Sequence, residues 1–302
     1  MNPKSVKFSN VSVSLVLYLI FSHPLNKANR LKAIWRFLVW QIVSRVYKHP
    51  ILLPFTNKSS YLCWNGLTGL TGNYYYGLME MEEMSFLLHF LKDEDCFFDI
   101  GANVGAFSIL AIQHSKANIH IFEPHPQSFK YLSRNIFIQD RKENVSLYNL
   151  ALGDFHGRVS FTSDLDTVNH VATPEEKNLI SVEMTTLNSL KLPSPTIIKI
   201  DVEGFELNVL NGATEIFEGD TLLVVIIELN GSGDRYGISD KDIDTFLKNY
   251  GFYPFTYNPF VRRLIELENY TSHNTIYIRN KELISNRLVN SSSFVLSNGC
   301  EL

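Results

Sequence analysis

Acidic residues are missing from the first 79 positions of this chain, where nine Lys or Arg occur before the first acid, Glu80. The formal net charge of −4 therefore joins two unlike parts, because the remaining 18 of the 27 basic residues are set against all 31 acidic ones, a net of −13. Cysteine is scarce. Cys63, Cys96 and Cys300 stand far apart without CxxC or zinc-ligand spacing, which argues against a disulfide scaffold and for a reducing compartment. Long apolar runs are lacking too: VSVSLVLYLIF (11–21) is about half of what a membrane-spanning helix needs. Lys4 and Lys7 ahead of it imitate a secretion signal, but no small-residue cleavage site follows, and His23-Pro24-Leu25-Asn26 leads straight into a helix. These absences predict a cytoplasmic chain with one large α/β core or two smaller ones, which 302 residues at 45% hydrophobic content can bury.

What is present centres on FFDIGANVGAFSI (97–109), a buried strand, a glycine turn and the first turn of a helix. Glycine lets backbone approach a ligand closely, and a helix N-terminus offers unpaired N–H groups. Asp99, two residues before Gly101, repels phosphate and suits a ligand that carries an ammonium group. Glu123 ends the next strand-like run, IHIFEP (119–124), about 20 residues beyond the turn, where Rossmann-type units grip ribose hydroxyls. The dinucleotide fingerprint GxGxxG is not met, since Asn103 stands at the middle glycine and Ala106 follows Gly105. DxGxNxG with a following ribose acid fits S-adenosylmethionine better.

Around this turn, strands and helices alternate. HPQSFKYLSRNIFIQ reads as a helix and NVSLYNLAL (144–152) as a third strand whose last residues border the adenine. GRVSFTS (157–163) and ISVEMTTLNSL (180–190) form an inserted ribbon around the DTVNHVATPEE loop. A buried strand ends at Asp201, and a helix starts near Glu203 and stops at Asn211-Gly212. LLVVIIELN (222–230) is a strand covered on both faces, SDKDIDTFLKNYG a capped helix, and FYPFTY and NTIYIRN two final strands. The expectation is an open, doubly wound, mostly parallel α/β sheet of Rossmann-like form with a late antiparallel strand pair. Its ligand belongs at the carboxyl ends of the strands, where Asp99, Glu123, Leu152, Asp201 and Glu228 to Asn230 converge.

The N-terminal part is an extension. Residues 25–48 read as an amphipathic helix, with Leu31, Ile34, Trp35, Leu38, Ile42, Val43 and Val46 at helical spacing and Lys27, Arg30, Lys32, Arg36 and Arg45 as its basic residues. The expected disposition packs the apolar face on the main domain and solvates the basic one. The alternative is peripheral contact of residues 25–48 with an anionic membrane or acidic glycan. Residues 51–77, rich in Gly, Thr, Asn and aromatics, read as loop, and a helix is expected from about Leu78 to Leu91. Residues 1–77 thus form the extension, 78–280 the catalytic domain and 281–302 a tail.

The chain resembles the FkbM-type S-adenosylmethionine-dependent methyltransferases through DIGANVGAFSI (99–109), FEP (122–124), NLALGD (149–154), IIKIDVEGFELNVLNGA (197–213) and IIELN (226–230). The resemblance extends through TGNYYYGL (71–78), DTVNHV (166–171) and NTIYIRN (274–280). It implies a class I methyltransferase fold, S-adenosylmethionine as donor and an oxygen acceptor on a sugar, glycan or polyketide-like small molecule. It assigns Asp99, Gly101, Asn103 and Gly105 to the methionine end of the cofactor, Glu123 to ribose, Ala151 and Leu152 to adenine, and Asp201 to the methyl region. An alcohol acceptor must lose a proton, so a general base is useful; His170 is the first choice, with Asp201 and Glu203 as the others and His125 also near. Asp201 with Glu228 or Asn230 can alternatively place a divalent ion, although no spacing compels a metal. Two other readings remain open: an adenosyl-ligand-binding protein without catalysis, and an RNA methyltransferase. No DNA contact is expected, because no nucleic-acid module is present.

Overall fold

The N-terminal apolar run becomes a helix, Val13–Ser22 (α1), in the computed structural model, which describes residues 13–67 and 69–302. Lys4 and Lys7 lie outside the described residues. A turn over Pro24–Asn26 is followed by α2, Arg30–Val46, which starts later than position 25. Its buried residues are Ala33, Phe37, Trp40 and Ser44. The face turned inward is therefore not the one that the apolar periodicity marks. The reason lies in Tyr74 to Tyr76 on α3 (Thr71–Tyr76), a helix in what reads as loop. Phe37 meets Tyr75 edge-on at 5.3 Å between ring centres, Trp40 lies 6.1 Å from Tyr74, and Arg36 donates to the Tyr75 carbonyl at 3.2 Å. Between these helices, β1 (Ile51–Pro54) and β2 (Ser60–Cys63) pair antiparallel. Residues 293–302 belong with this part of the chain: Thr56 bridges to Leu296, and the Asn298 side chain donates to the Leu25 carbonyl at 3.0 Å. Of the described residues, those up to Met81 with 293–302 make one compact unit and residues 82–292 a second, so the last 22 residues are divided between the two.

The division falls after the first residue of the helix Met81–Phe90 (α4), and the buried strand Cys96–Ile100 (β3) follows in the second unit. After α5 (Ala106–His114) come β4 (Asn118–Phe122), α6 (Pro126–Phe137) and β5 (Val145–Tyr148). The strand expected over 144–152 stops at Tyr148. Asn149 explains the break, because its amide donates to the carbonyls of Glu123 and Pro124 at 2.8 and 3.1 Å and turns the chain out of the sheet. Ala151–Leu152 (β6) then joins a separate three-stranded sheet with β7 (Gly157–Thr162) and β8 (Leu179–Thr185), ordered β6-β8-β7. A short helix, Leu187–Leu190 (α7), returns the chain to the main sheet at β9 (Ile197–Ile200). Next come α8 (Glu206–Asn211), α9 (Thr214–Glu218), β10 (Val224–Glu228) and α10 (Asp240–Asn249), the last with a Ser239–Asp242 capping box. The chain ends this unit with β11 (Tyr253–Asn258), β12 (Arg263–Glu266), β13 (Asn274–Ile278) and α11 (Lys281–Val289).

The main sheet runs β12-β11-β13-β10-β9-β3-β4-β5; β5, β4, β3, β9 and β10 are mutually parallel, the remaining neighbours pair antiparallel, and so β11 runs with the five while β13 and β12 run against them. It is the class I methyltransferase arrangement that the resemblance implies, with one further strand, β12, at the edge. From β3 the chain moves one way to β4 and β5, then returns to β9 and β10 on the other side. That reversal between β3 and β9 is the switch point where open α/β sheets bind ligands. The central strands β3, β9 and β10 are buried on both faces, one of which forms a continuous apolar cluster. Phe98, Ile100, Ile198, Ile200, Val225, Ile227 and Tyr277 pack against Val209, Leu210, Phe217 and Leu247 from the helices. Each such side chain contributes about 1.5–3 kcal/mol on burial. No helix among the described residues is long and apolar enough to cross a membrane.

Candidate active site

The turn between β3 and α5 needs glycine for a specific reason. Gly101 has φ +75°, and a Cβ built on it would lie 1.8 Å from the Asp201 carbonyl oxygen, so the ends of β3 and β9 meet only through its bare backbone. The Phe122 carbonyl accepts the N–H groups of Gly101 and Ala102, both at 3.0 Å, which draws the end of β4 to the same turn. Asn103 (φ +52°) and Gly105 (φ +95°) are also left-handed, and Gly105 caps α5. Asparagine tolerates this backbone better than most side chains.

Three charges meet under the turn: Asp99 and Lys199 are buried and Asp201 is half-buried. Asp99 is 1% exposed. Its Oδ2 accepts the Ser108 hydroxyl at 2.5 Å, while Oδ1 has no hydrogen-bond partner and lies 4.0 Å from Lys199 Nζ. Burial raises the Asp99 carboxyl above the usual carboxylate range, and the Lys199 charge opposes that rise. Lys199 stands beside Asp99 in register on β9. Its ammonium lies 3.0 Å from Asp201 Oδ2, donates to the Gly101 carbonyl at 3.4 Å and sits 5.2 Å from the Phe107 ring centre. Sequence reasoning missed Lys199. The available signal was a lysine inside an otherwise apolar strand, which calls for buried anions as partners.

Glu123 is buried at the end of β4. Its two carboxylate oxygens accept the backbone N–H groups of His125 and Asn103, each at 2.8 Å. Burial pushes its carboxyl up to about 8 against the pull of those two N–H groups. His125 caps α6, its ring accepting the Ser128 N–H at 3.3 Å, and burial lowers its pKa.

Further carboxylates gather past β9 and β10. One oxygen each of Asp201, Glu203 and Glu228 lie within 4.8 Å of one another, so the structure brings together the two acids named for a divalent ion and adds Glu203. Oxygen ligands of this kind suit a hard cation, but Lys199 already supplies one positive charge to Asp201. Glu203 has φ +55° in a turn that delays the helix: α8 starts at Glu206, not near Glu203. Glu206 holds that turn, accepting the N–H groups of Val202 and Gly204 at 3.1 Å each. Burial, then the neighbouring Asp201 and Glu206 charges, push the Glu203 carboxyl up to about 8.

The inserted ribbon carries the remaining candidates. Ala151 and Leu152 are buried and pair with Met184 and Thr185, outside the main sheet. His170 is buried as well. Its Nδ1 lies 2.8 Å from the Val168 carbonyl and its Nε2 2.9 Å from Glu176 Oε1, so both ring nitrogens face acceptors within their own loop. Neither nitrogen is left to receive a proton from a substrate. The loop reaches the strand ends through Val171, whose carbonyl accepts the Tyr236 hydroxyl at 2.5 Å; the Tyr236 ring lies 5.4 Å from that of Phe205. On the other side, Phe161 sits 6.5 Å from the His125 ring.

The residues fit an adenosyl ligand with a cationic end. The buried Asp99 oxygen that accepts no hydrogen bond and the bare Gly101 backbone stand at the methionine position that the motif implies, and the acids at the strand ends suit a sulfonium. Comparison with known proteins agrees. A family model described as the methyltransferase FkbM domain matches residues 99–254. Among characterised relatives, the hexuronic acid methyltransferase AglP of Haloferax volcanii is 27% identical over 173 residues, covering 56% of this chain and 67% of that protein. The methyltransferase sdnD of Sordaria araneosa is 27% identical over 191 residues, covering 51% and 72%. A solved FkbM methyltransferase from Methylobacillus flagellatus is 16% identical with a TM-score of 0.42, and the match covers 62% of this chain and 44% of that one.

Proposed function

The chain belongs to the FkbM methyltransferase family, whose members use S-adenosylmethionine, and from that premise we propose that it methylates a hydroxyl oxygen on a sugar, glycan or polyketide-like small molecule. The observation that carries this reading is the group of Asp201, Glu203 and Glu228 at the carboxyl ends of β9 and β10. When bound, the cofactor supplies an electrophilic methyl group on a sulfonium. Asp99 and the glycine turn hold its amino-acid end, and Glu123 its ribose. The residues past β9 orient the acceptor, and one carboxylate there takes the hydroxyl proton. Glu203 suits that role best, since a base whose pKa is about 8 accepts a proton readily, and its ionised fraction, about a tenth at pH 7, grows as pH rises. An acceptor carboxylate is disfavoured at this point by the surrounding acids, whereas a neutral hydroxyl is not. The AglP relative, a hexuronic acid methyltransferase, supports a sugar acceptor. The engagement of His170 with Val168 and Glu176 leaves it a positioning role in the acceptor loop.

The test is incubation of the full chain with isotopically labelled S-adenosylmethionine and a panel of sugars, uronic acids and hydroxylated small molecules, with product identification by mass spectrometry. A methyl ether product supports the proposal. Label found only on nitrogen or carbon, or only on RNA, overturns it.

A further inference from the structure

The α1–α2 hairpin turns its most apolar side outward. On α2, Leu31, Trp35, Leu38, Ile42 and Val46 follow one another at i, i+4, i+7, i+11 and i+15, which at about 100° per residue confines them to an arc of roughly 80°. Leu31 is 80% exposed, Trp35 66%, Ile42 66% and Val46 75%. Ala33, Phe37, Trp40 and Ser44, on the opposite arc, are buried against the unit's own tyrosines. Lys32 and Arg45 flank the outward stripe, one on each side. On α1, Val13, Leu15, Tyr18, Leu19 and Phe21 are exposed, and the Arg30 guanidinium lies 4.6 Å over the Phe21 ring. With Val43, the two helices thus present eleven exposed apolar or aromatic side chains without one acid in the described residues up to Met79.

We propose that this hairpin docks peripherally on an anionic lipid bilayer, with the α2 stripe sunk into the headgroup boundary. Charge selects the occupant. Lys27, Lys32, Arg45 and Lys48 have no acidic neighbours along the hairpin, so a second copy laid face to face would set basic residues against basic residues, whereas acidic headgroups complement them. The chemistry of the stripe agrees: Trp35, Tyr18 and Tyr47 have the amphipathic rings that favour a membrane interface, and Lys and Arg stems lie along apolar surface with their charges in the headgroups. The inference is independent of the acceptor assigned above.

The test uses the full chain with vesicles of phosphatidylcholine alone and of phosphatidylcholine mixed with phosphatidylglycerol. Sedimentation with the mixed vesicles, release by salt, and quenching of Trp35 fluorescence by brominated lipid are expected. Trp35→Phe should remove most of that quenching. Leu38→Asp with Ile42→Asp should lower partitioning at least about tenfold, and Lys27→Glu with Lys32→Glu by a comparable factor, while affinity for S-adenosylhomocysteine is unchanged. Failure to sediment, equal binding to neutral and anionic vesicles, unaltered binding by either double variant, or a solution dimer that shields Trp35 would each overturn the proposal.

Discussion

Glu123 accepts the backbone N–H of Asn103 at 2.8 Å, so the acid expected to grip the ribose also fastens the glycine turn. The two functions share one carboxylate, and its protonation affects both. A carboxyl whose folded pKa is raised binds its proton more tightly in the folded chain than in the unfolded one. The ligand-free protein should therefore lose stability as pH rises from the unfolded carboxylate range, about 4.3, through about 8, with Glu206, pushed up to about 7 by burial, acting in the same direction. Ligand that needs the ionised Glu123 should show the opposite trend. Chemical denaturation and calorimetry with S-adenosylhomocysteine across this range check both slopes. Glu123→Ala should weaken ligand binding by about 1.5–3 kcal/mol and flatten its pH dependence.

Gly101→Ala should abolish cofactor binding and destabilise the fold by more than about 1 kcal/mol, because the new methyl meets backbone and the left-handed conformation is costly for alanine. Thermal unfolding and ligand titration measure the two effects separately. Wild-type affinity in this variant would show that the ends of β3 and β9 can separate without cost.

Lys199→Met leaves Asp99 and Asp201 without their shared ammonium. Breaking a buried pair costs about 3–5 kcal/mol. Removing the cation raises the Asp99 pKa further, so the variant's deficit should be greatest at neutral pH and shrink in acid, as the carboxyls take up protons. Denaturation at several pH values decides this; a deficit independent of pH would assign Lys199 a packing role only.

Glu203→Gln should lower turnover by roughly 10²–10⁴, the usual effect of losing a general base. In the wild type, the rate should climb with pH through about 8 and then level off, since the base acts ionised. That limb should disappear in the variant. If the limb survives, Asp201 becomes the better base.

His170→Ala should reduce turnover by less than that range and leave the pH profile in place, while the loop at 163–181 becomes more sensitive to protease. Glu176→Gln should reproduce the effect by weakening the same contact. A lost pH limb in His170→Ala would restore it as the base.

Legibility in the sequence followed locality. Asp99, Glu123 and Asp201 each close an apolar strand, and strand ends on one side of a parallel sheet must converge, so the site could be read from position alone. Lys199 could not, because its partner Asp99 lies one hundred residues away and only the pairing of β3 with β9 places them side by side. The departure of Ala151–Leu152 from the main sheet was equally hidden: NLAL continues the apolar pattern, and the turn depends on what the Asn149 side chain finds beyond β4. Periodicity identified α2 as amphipathic but not which arc faces inward, which the ring contacts with Tyr74 and Tyr75 decide.

The contact between Gly101 and Asp201 has a consequence for the order of events during synthesis. The turn after β3 takes its shape against a strand that leaves the ribosome about a hundred residues later. A nascent chain that ends before Asp201 carries the complete glycine motif without that contact and should fail to grip the methyl donor. Ligand capture thus reports that the non-local half of the sheet is in place, and truncated translation products should be blind to the cofactor.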